Sequence, residues 1–350
     1  MLDPLEHLRL IKESARGISP RKGDLKRIRA LRFTDPGFDR ATWREMCEMG
    51  WLGMRVAEDA GGSGLGMREF CALAEELGAG LVPEPLLPAA MAAVLLPADH
   101  LPEVLSGERI VLPGWQEAPH SLALTGSVEF REGRLDGRKL FVPMAAGADA
   151  FLVTVPGGLA LVERDAAGMH IEPQPTQDGG NFGTLVFDRT PAEAIPGDAT
   201  DALEQTIMAN SAYLLGLMER AFAITLDYMK TREQFGRKIG SFQALQHRAA
   251  DCQVQLALTR AVVRSAAATM DTEQRRVARQ MVVSRAKLRA SDAAMVVTRA
   301  CIQLHGGIGY TDAADIGLFL RKAMVLAPLY GSQMAHRARF RSLAPETVET

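Results

Sequence analysis

Cysteine is scarce in this sequence: Cys47, Cys71, Cys252 and Cys301 are its only four, and no two form a CxxC pair. Such spacing excludes a disulfide framework and a cysteine-based metal site, and it fits a reducing, cytoplasmic location. Net charge is also nearly absent. A formal charge of -2 and a pI near 6.4 leave no long-range field to attract nucleic acid or an anionic membrane, although Lys and Arg crowd into the last third. No apolar run is long enough to span a bilayer. The longest, PLLPAAMAAVLLPA at 85–98, is broken by prolines, and the opening MLDPLEHLRLIKE is charged throughout instead of carrying an apolar signal core. Internal repeats and low-complexity tracts are missing. One local absence bears on chemistry: Ile316 to Pro345 contains neither Asp nor Glu.

What is present is enough apolar material for more than one core, 47% of 350 residues. Three segments differ in pattern. Residues 1–110 read as helical: DRATWREMCEMGWLGM places Trp43, Met46, Met49 and Gly50 on one face, and MREFCALAEELGAGLV repeats the pattern from Phe70 to Leu77. Between them AEDAGGSGLG, 57–66, reads as a connector, because no strand precedes it and no Lys-Ser/Thr follows it as a phosphate loop requires. Glu58 and Glu69 read as solvated charges. Residues 111–198 change to short β-branched runs. SLALTGSVEF, REGRLDGRKLFV, AFLVTVPGGLALVERD and GTLVFDRT predict strands of a small antiparallel β domain, with a hairpin turn at Pro156-Gly157-Gly158. Residues 199–350 return to helix. Leu245, Ala249, Cys252 and Leu256 form one stripe, as expected of a long-helix bundle.

Two motifs in the last segment carry chemistry. In TREQFGRKIGSFQALQHRAAD, 231–251, Arg232, Gln234 and Phe235 leave the helix together at a turn, where a guanidinium can meet a pyrophosphate and an aromatic can cover a heterocycle. In CIQLHGGIGYT, 301–311, Gly306-Gly307 lets backbone approach a ligand closely and Gln303 offers an amide beside it. Alone, the first could be a helix hairpin with a solvated Arg and the second a helix C-cap. His247 and His305 read as packing or capping residues.

Together, R-x-x-F-G…F-Q and Q-L-x-G-G-x-G-Y resemble the acyl-CoA dehydrogenase family, and the resemblance extends over essentially the whole chain. It implies an α+β fold of N-terminal helices, middle β domain and C-terminal bundle. It also implies an FAD-dependent αβ-dehydrogenation of an acyl-CoA thioester, in which a glutamate removes the α-proton while the β-hydrogen leaves as hydride to the flavin. Dimers or dimers of dimers, with an electron-transfer flavoprotein as acceptor, are implied as well. By the same resemblance Arg232, Gln234, Phe235, Gln243, Gln303, Gly306 and Gly307 reach the pyrophosphate and adenosine part of a neighbouring subunit's FAD.

Elsewhere the family pattern has drifted. The segment that would hold the chain's own flavin ring falls in GWQEAPHSL, 114–122, where Glu117 remains but the expected Gly-Ser does not. A second flavin segment reads Phe141-Val142-Pro143, and proline offers neither hydroxyl nor N–H. The family glutamate aligns with Tyr330 in LYGSQ, and a tyrosine of pKa about 10 is only about 0.1% phenolate at neutral pH. An alternative base position of some relatives aligns with Thr206, two residues from Glu204. The expectation is a subunit without its own base that completes a partner's FAD site in a hetero-oligomer such as a heterotetramer, possible substrates including bulky steroid side-chain thioesters. A homomeric dehydrogenase with an unrecognised base and a flavin monooxygenase on the same fold are the alternatives.

Overall fold

The computed structural model describes residues 4–19, 23–124 and 126–344. The first three residues of the charged start, Thr125 of the strand expected over 121–130, and Pro345 at the end of the acid-free run lie outside the described residues. In chain order the helices are α1 (Pro4–Ala15), α2 (Lys26–Leu31), α3 (Arg40–Glu48), α4 (Met67–Ala79), α5 (Leu86–Ala93) and α6 (Leu101–Leu105). Strands β1 (Val111–Gly114), β2 (Glu129–Arg131), β3 (Arg134–Pro143), β4 (Ala150–Val155), β5 (Gly158–Glu163), β6 (Met169–Pro175), β7 (Asn181–Pro191) and β8 (Glu193–Ile195) follow. Then come α7 (Thr200–Thr231), the short strands β9 (Glu233–Gln234) and β10 (Arg237–Lys238), α8 (Gln243–Thr272), α9 (Arg276–His305), α10 (Ile316–Leu326) and α11 (Gln333–Leu343).

The three segments expected at 1–110, 111–198 and 199–350 are runs of chain, whereas the compact units are two and discontinuous. One comprises Met1–Leu25, Met67–Val82 and Ile207–Thr350; the other comprises Lys26–Gly66 and Pro83–Thr206. In the second unit, α3 begins at Asp39, whose carboxylate accepts from the N–H groups of Ala41 and Thr42 at 3.0 and 3.3 Å, an N-cap that satisfies two of the helix's orphan donors. Trp43 and Met46 are buried there, but Met49 and Gly50 are exposed because the helix ends at Glu48.

The eight strands make two four-stranded sheets, ordered β1-β4-β5-β8 and β2-β3-β7-β6. All pairings are antiparallel except β1 with β4. The β4–β5 hairpin turns at Pro156-Gly157 as expected, with Val155 opposite Gly158. Among the described residues of 121–130, strand begins only at Glu129. Before it, side chains take up the backbone groups a ladder would use: Glu117 accepts from the N–H groups of Ser127 and Val128, and Thr154 donates to the Leu124 carbonyl. Three of the eight strands lie outside the predicted runs, and all three are edge strands: β1 with Pro113 and β6 with Pro173 and Pro175, where a missing N–H is tolerated, and β8, which is only three residues long.

The first unit is helical and is built around α7, α8 and α9, each of 30 to 32 residues. The expected stripe holds: Cys252 and Leu256 are buried, and Leu245 and Ala249 pack against a buried cluster. α4 lies hard against α7 because both present glycine at the crossing. A Cβ on Gly216 would fall 1.7 Å from the Glu75 carbonyl oxygen, and one on Gly78 would fall 2.0 Å from that of Tyr213. Glu69, expected to be solvated, is buried in the first turn of α4, where the helix N-terminus favours a carboxylate. Among the described residues no helix is long and apolar enough to cross a membrane, and no cluster of His, Cys, Asp or Glu could hold a metal.

Candidate cofactor site

The site begins where α7 stops. β9 and β10 form a small antiparallel hairpin, with Gln234 opposite Arg237 and Glu233 opposite Lys238. Its two-residue turn is Phe235-Gly236, with φ of 53° and 74°, the left-handed pair that a tight hairpin needs. Glycine enters that region freely and phenylalanine does not, so the hairpin holds a strained aromatic outward. Phe235 is 92% exposed. A Glu233–Lys238 ion pair at 2.6 Å and a Lys238 bond to the Thr231 carbonyl at 3.1 Å close the ladder from outside. From beneath, Ile239 packs with Met229 and Leu304, against which Tyr228, Phe242 and Leu245 also rest. Gly240 makes this seating possible, since a Cβ there would lie 2.9 Å from the Met229 carbonyl oxygen.

The facing wall is the end of α9. Gly306, with φ of 66°, turns the chain into a short 3-10 segment, Gly306–Tyr310. A Cβ built on Gly306 or Gly307 would meet nothing within 4 Å, so the space beside this backbone is open. Between hairpin and turn lies a cavity of about 710 Å³. Arg232, Gln234, Phe235, Gln303, Gly306 and Gly307 all line it. Gln243 does not: it opens α8 as an exposed residue, while its neighbours Phe242 and Ala244 face the cavity.

The chemistry of the lining is specific. The Arg232 guanidinium and the Gln303 amide make no hydrogen bond or ion pair with any described residue, so both are available to a ligand. Gln234 donates to the Glu233 carbonyl at 2.7 Å, and Arg237 is occupied over the Phe242 ring at 4.1 Å. The apolar floor is Tyr228, Phe242, Leu245 and Ile308, of which Tyr228 lies outside both motifs. Tyr228 stands one helical turn before Arg232, which is the signal that could have found it. His305 stacks on Tyr228 at 4.5 Å and donates from Nδ1 to the Cys301 carbonyl at 2.8 Å. Burial lowers its pKa, and it packs as a neutral ring at the cavity edge. His247 is exposed on α8.

The positions expected from the sequence to match the family's base, Tyr330 and Thr206, are closed. Tyr330 is 2% exposed, at φ of 61°, and burial pushes its phenol above the ordinary value. Thr206 is buried and its hydroxyl donates to the Ala202 carbonyl at 2.9 Å; Glu204 is buried and partnered. In the β unit, Glu117 is bound to Lys139 at 2.6 Å, and Lys139 also donates to Thr154 at 3.0 Å. Burial pushes the Glu117 carboxyl up, but the Lys139 ammonium and the Ser127 groups outweigh it and hold the pKa below the usual carboxylate range. The same burial lowers Lys139. Pro143 sits within β3 opposite Phe182.

The C-terminal domain of the acyl-CoA dehydrogenase family matches residues 197–341, and its N-terminal domain matches residues 6–98. The chain belongs to the acyl-CoA dehydrogenase family. Acyl-CoA dehydrogenase IpdE2 of Mycolicibacterium smegmatis is 31% identical over 335 residues, 93% of this chain and 95% of that protein. IpdE2 of Mycobacterium tuberculosis is likewise 31% identical over 95% of both. Among solved structures, a variant of the Tcur3481-Tcur3483 steroid ACAD superposes with a TM-score of 0.85 at 31% identity, covering 97% of each chain. The ChsE4-ChsE5 complex from Mycobacterium tuberculosis shares the fold, with a TM-score of 0.84 over 100% of this chain and 99% of that one at 24% identity.

An acyl-CoA dehydrogenase is an oxidoreductase acting on the CH–CH bond of an acyl-CoA, and its cofactor is FAD. The hairpin cavity fits the anionic, heterocyclic end of that cofactor: an unpaired guanidinium and amide, side-chain-free backbone at Gly306-Gly307, and a presented aromatic face.

Proposed function

We propose that this chain is a subunit of a heteromeric acyl-CoA dehydrogenase that lacks its own base and completes a partner subunit's FAD site. One observation carries this: the residue aligned with the family's carboxylate is a tyrosine sealed in the bundle, with its phenol pushed further from ionisation, so no proton acceptor stands there at neutral pH. Bound FAD supplies the hydride acceptor for the β-hydrogen; this chain's residues bind and orient it. Arg232 and Gln303 would hold the diphosphate, Gly306 and Gly307 would let it approach, and Phe235 would cover the heterocycle, with Gln234 and Gln243 at the rim. The 31%-identical structure, whose name joins two components and calls the enzyme a steroid ACAD, supports both a second subunit and a bulky, steroid-derived thioester. Electrons would pass on to an electron-transfer flavoprotein.

Flavin stoichiometry tests this reading. The chain is purified alone and with a neighbouring-gene dehydrogenase subunit, and FAD is measured by visible absorbance. A colourless lone chain and a complex with one FAD per pair of chains are expected. One tightly bound FAD per lone protomer, bleached by an acyl-CoA, would overturn it in favour of a self-sufficient enzyme with an unrecognised base.

A further inference from the structure

Behind position 330 lies a set of buried polar groups that the cofactor cavity does not use. On α9, Ser284, Lys287 and Ser291 recur at spacings of three and four, so they share one helix face, and all three are at most 1% exposed. That face meets the end of α10. The last carbonyls of a helix have no intrahelical partner and, when buried, need donors from elsewhere. Here Lys287 donates to the Leu326 carbonyl at 2.9 Å and Ser291 donates to that of Ala327 at 2.9 Å. Lys287 also donates to Asn210 Oδ1 on α7 at 2.5 Å. From α11, His336 donates through Nε2 to the Tyr330 carbonyl at 2.9 Å. Its tautomer is set from behind: Ser284 Oγ accepts from Arg339 Nε at 2.6 Å and lies 3.5 Å from His336 Nδ1.

We propose that Lys287, Ser291 and His336 are positioning residues that together clamp the connector of residues 327–332 and thereby fix the backbone of position 330. Two features support this beyond the bonds themselves. Tyr330 and Gly331 both have positive φ, 61° and 102°, and Tyr330 is not a residue that adopts such a backbone unforced. Lys287 is fully buried with only neutral acceptors around it, and desolvation lowers its pKa to about 7. A hydrophobic residue of similar length would avoid that cost, so the lysine is explained by what it grips: the end of α10 and, through Asn210, α7. The clamp acts on backbone carbonyls, so it holds whatever side chain stands at 330, and it is independent of whether this subunit has a working base.

The test is hydrogen exchange by mass spectrometry on the full chain, comparing wild type with Lys287→Met, Ser291→Ala and, as control, Val283→Ala, a buried position on the same helix outside the clamp. In Lys287→Met, exchange of the 327–332 amides is expected to rise at least about tenfold at pH 7, beyond any rise in α8 or α9. Tyrosine absorbance at 295 nm gives a second readout. Among the four tyrosines, the phenol of Tyr330 should stay protonated in the folded wild type and titrate in Lys287→Met, and that extra titration should vanish in Lys287→Met/Tyr330→Phe. If Lys287→Met does not fold, Ser291→Ala should still give a rise of about threefold or more confined to the connector. A rise spread evenly over the helices, as in Val283→Ala, or no rise at 327–332, would show that these residues only pack.

Discussion

The cofactor cavity and the 327–332 connector belong to the same helical unit and are built on opposite principles. At the cavity, the hairpin pushes Phe235 to 92% exposure, and the side chains of Arg232 and Gln303 are left with no partner among the described residues. At the connector, Lys287, Ser291 and His336 occupy the local carbonyls and Tyr330 is sealed. Strain is present in both, at Phe235 and at Tyr330, with φ of 53° and 61°. In the first it displays a side chain to something outside the chain; in the second it buries one. Unsatisfied polar groups beside open backbone mark a surface waiting for a ligand, whereas full satisfaction around a buried residue marks a segment held in place by its own chain.

Four measurements sharpen or break that contrast. The largest effect is expected in the sealed region, as pH dependence. Lys287 has a folded pKa near 7 against about 10.4 unfolded, so between those values the unfolded chain binds more protons and stability rises with pH. His336, lowered to about 3 by burial and by the neighbouring Arg339 and Lys287 against about 6.5 unfolded, loses stability as pH falls from 6.5 toward 3. Urea unfolding from pH 6 to 9 should show a gain on the order of 2–4 kcal/mol that Lys287→Met lacks; parallel curves for the two proteins would remove Lys287 as the cause.

In the open region, Arg232→Ala should weaken FAD binding by the complex about 10–100-fold by calorimetry, the cost of one charge-assisted contact, without moving the chain's unfolding midpoint. An unchanged affinity would separate the cavity from the cofactor. Phe235→Ala should cost about fivefold in the same titration, since an exposed ring contributes only when a partner covers it. The smallest effect belongs to Tyr330→Phe, for which kcat of the complex should stay within about twofold. A proton-transfer group lost there would cost about 10²–10⁴-fold, and a fall of that size would return Tyr330 to the mechanism.

Much of the open region was legible in the sequence, because the constraint falls on residue types: an Arg and Phe leaving a helix at a glycine, and a Gly-Gly ending another. Six of the seven expected residues line one cavity, and Gln243 stands beside it. The apolar floor was hidden, because Tyr228 and Leu245 look like ordinary bundle residues until the hairpin folds over them. The sealed region was legible only as an absence of carboxylates. Lys287 in an arginine-rich helix reads as one more solvated charge, and nothing local shows that the end of α10 will need its Nζ donors. The edge strands β1 and β6 were missed for a related reason: proline argues against a strand unless one knows that it lies at the margin of a sheet.

Gly240 has a practical consequence for anyone wishing to separate assembly from cofactor binding. Its missing side chain lets the hairpin rest on the backbone of α7, with 2.9 Å from the would-be Cβ to the Met229 oxygen. A single added methyl therefore works as a wedge, lifting Arg232 and Phe235 as one body while leaving each of them chemically intact. Graded wedges at this position would act as a dial on how far the hairpin stands from the cavity floor.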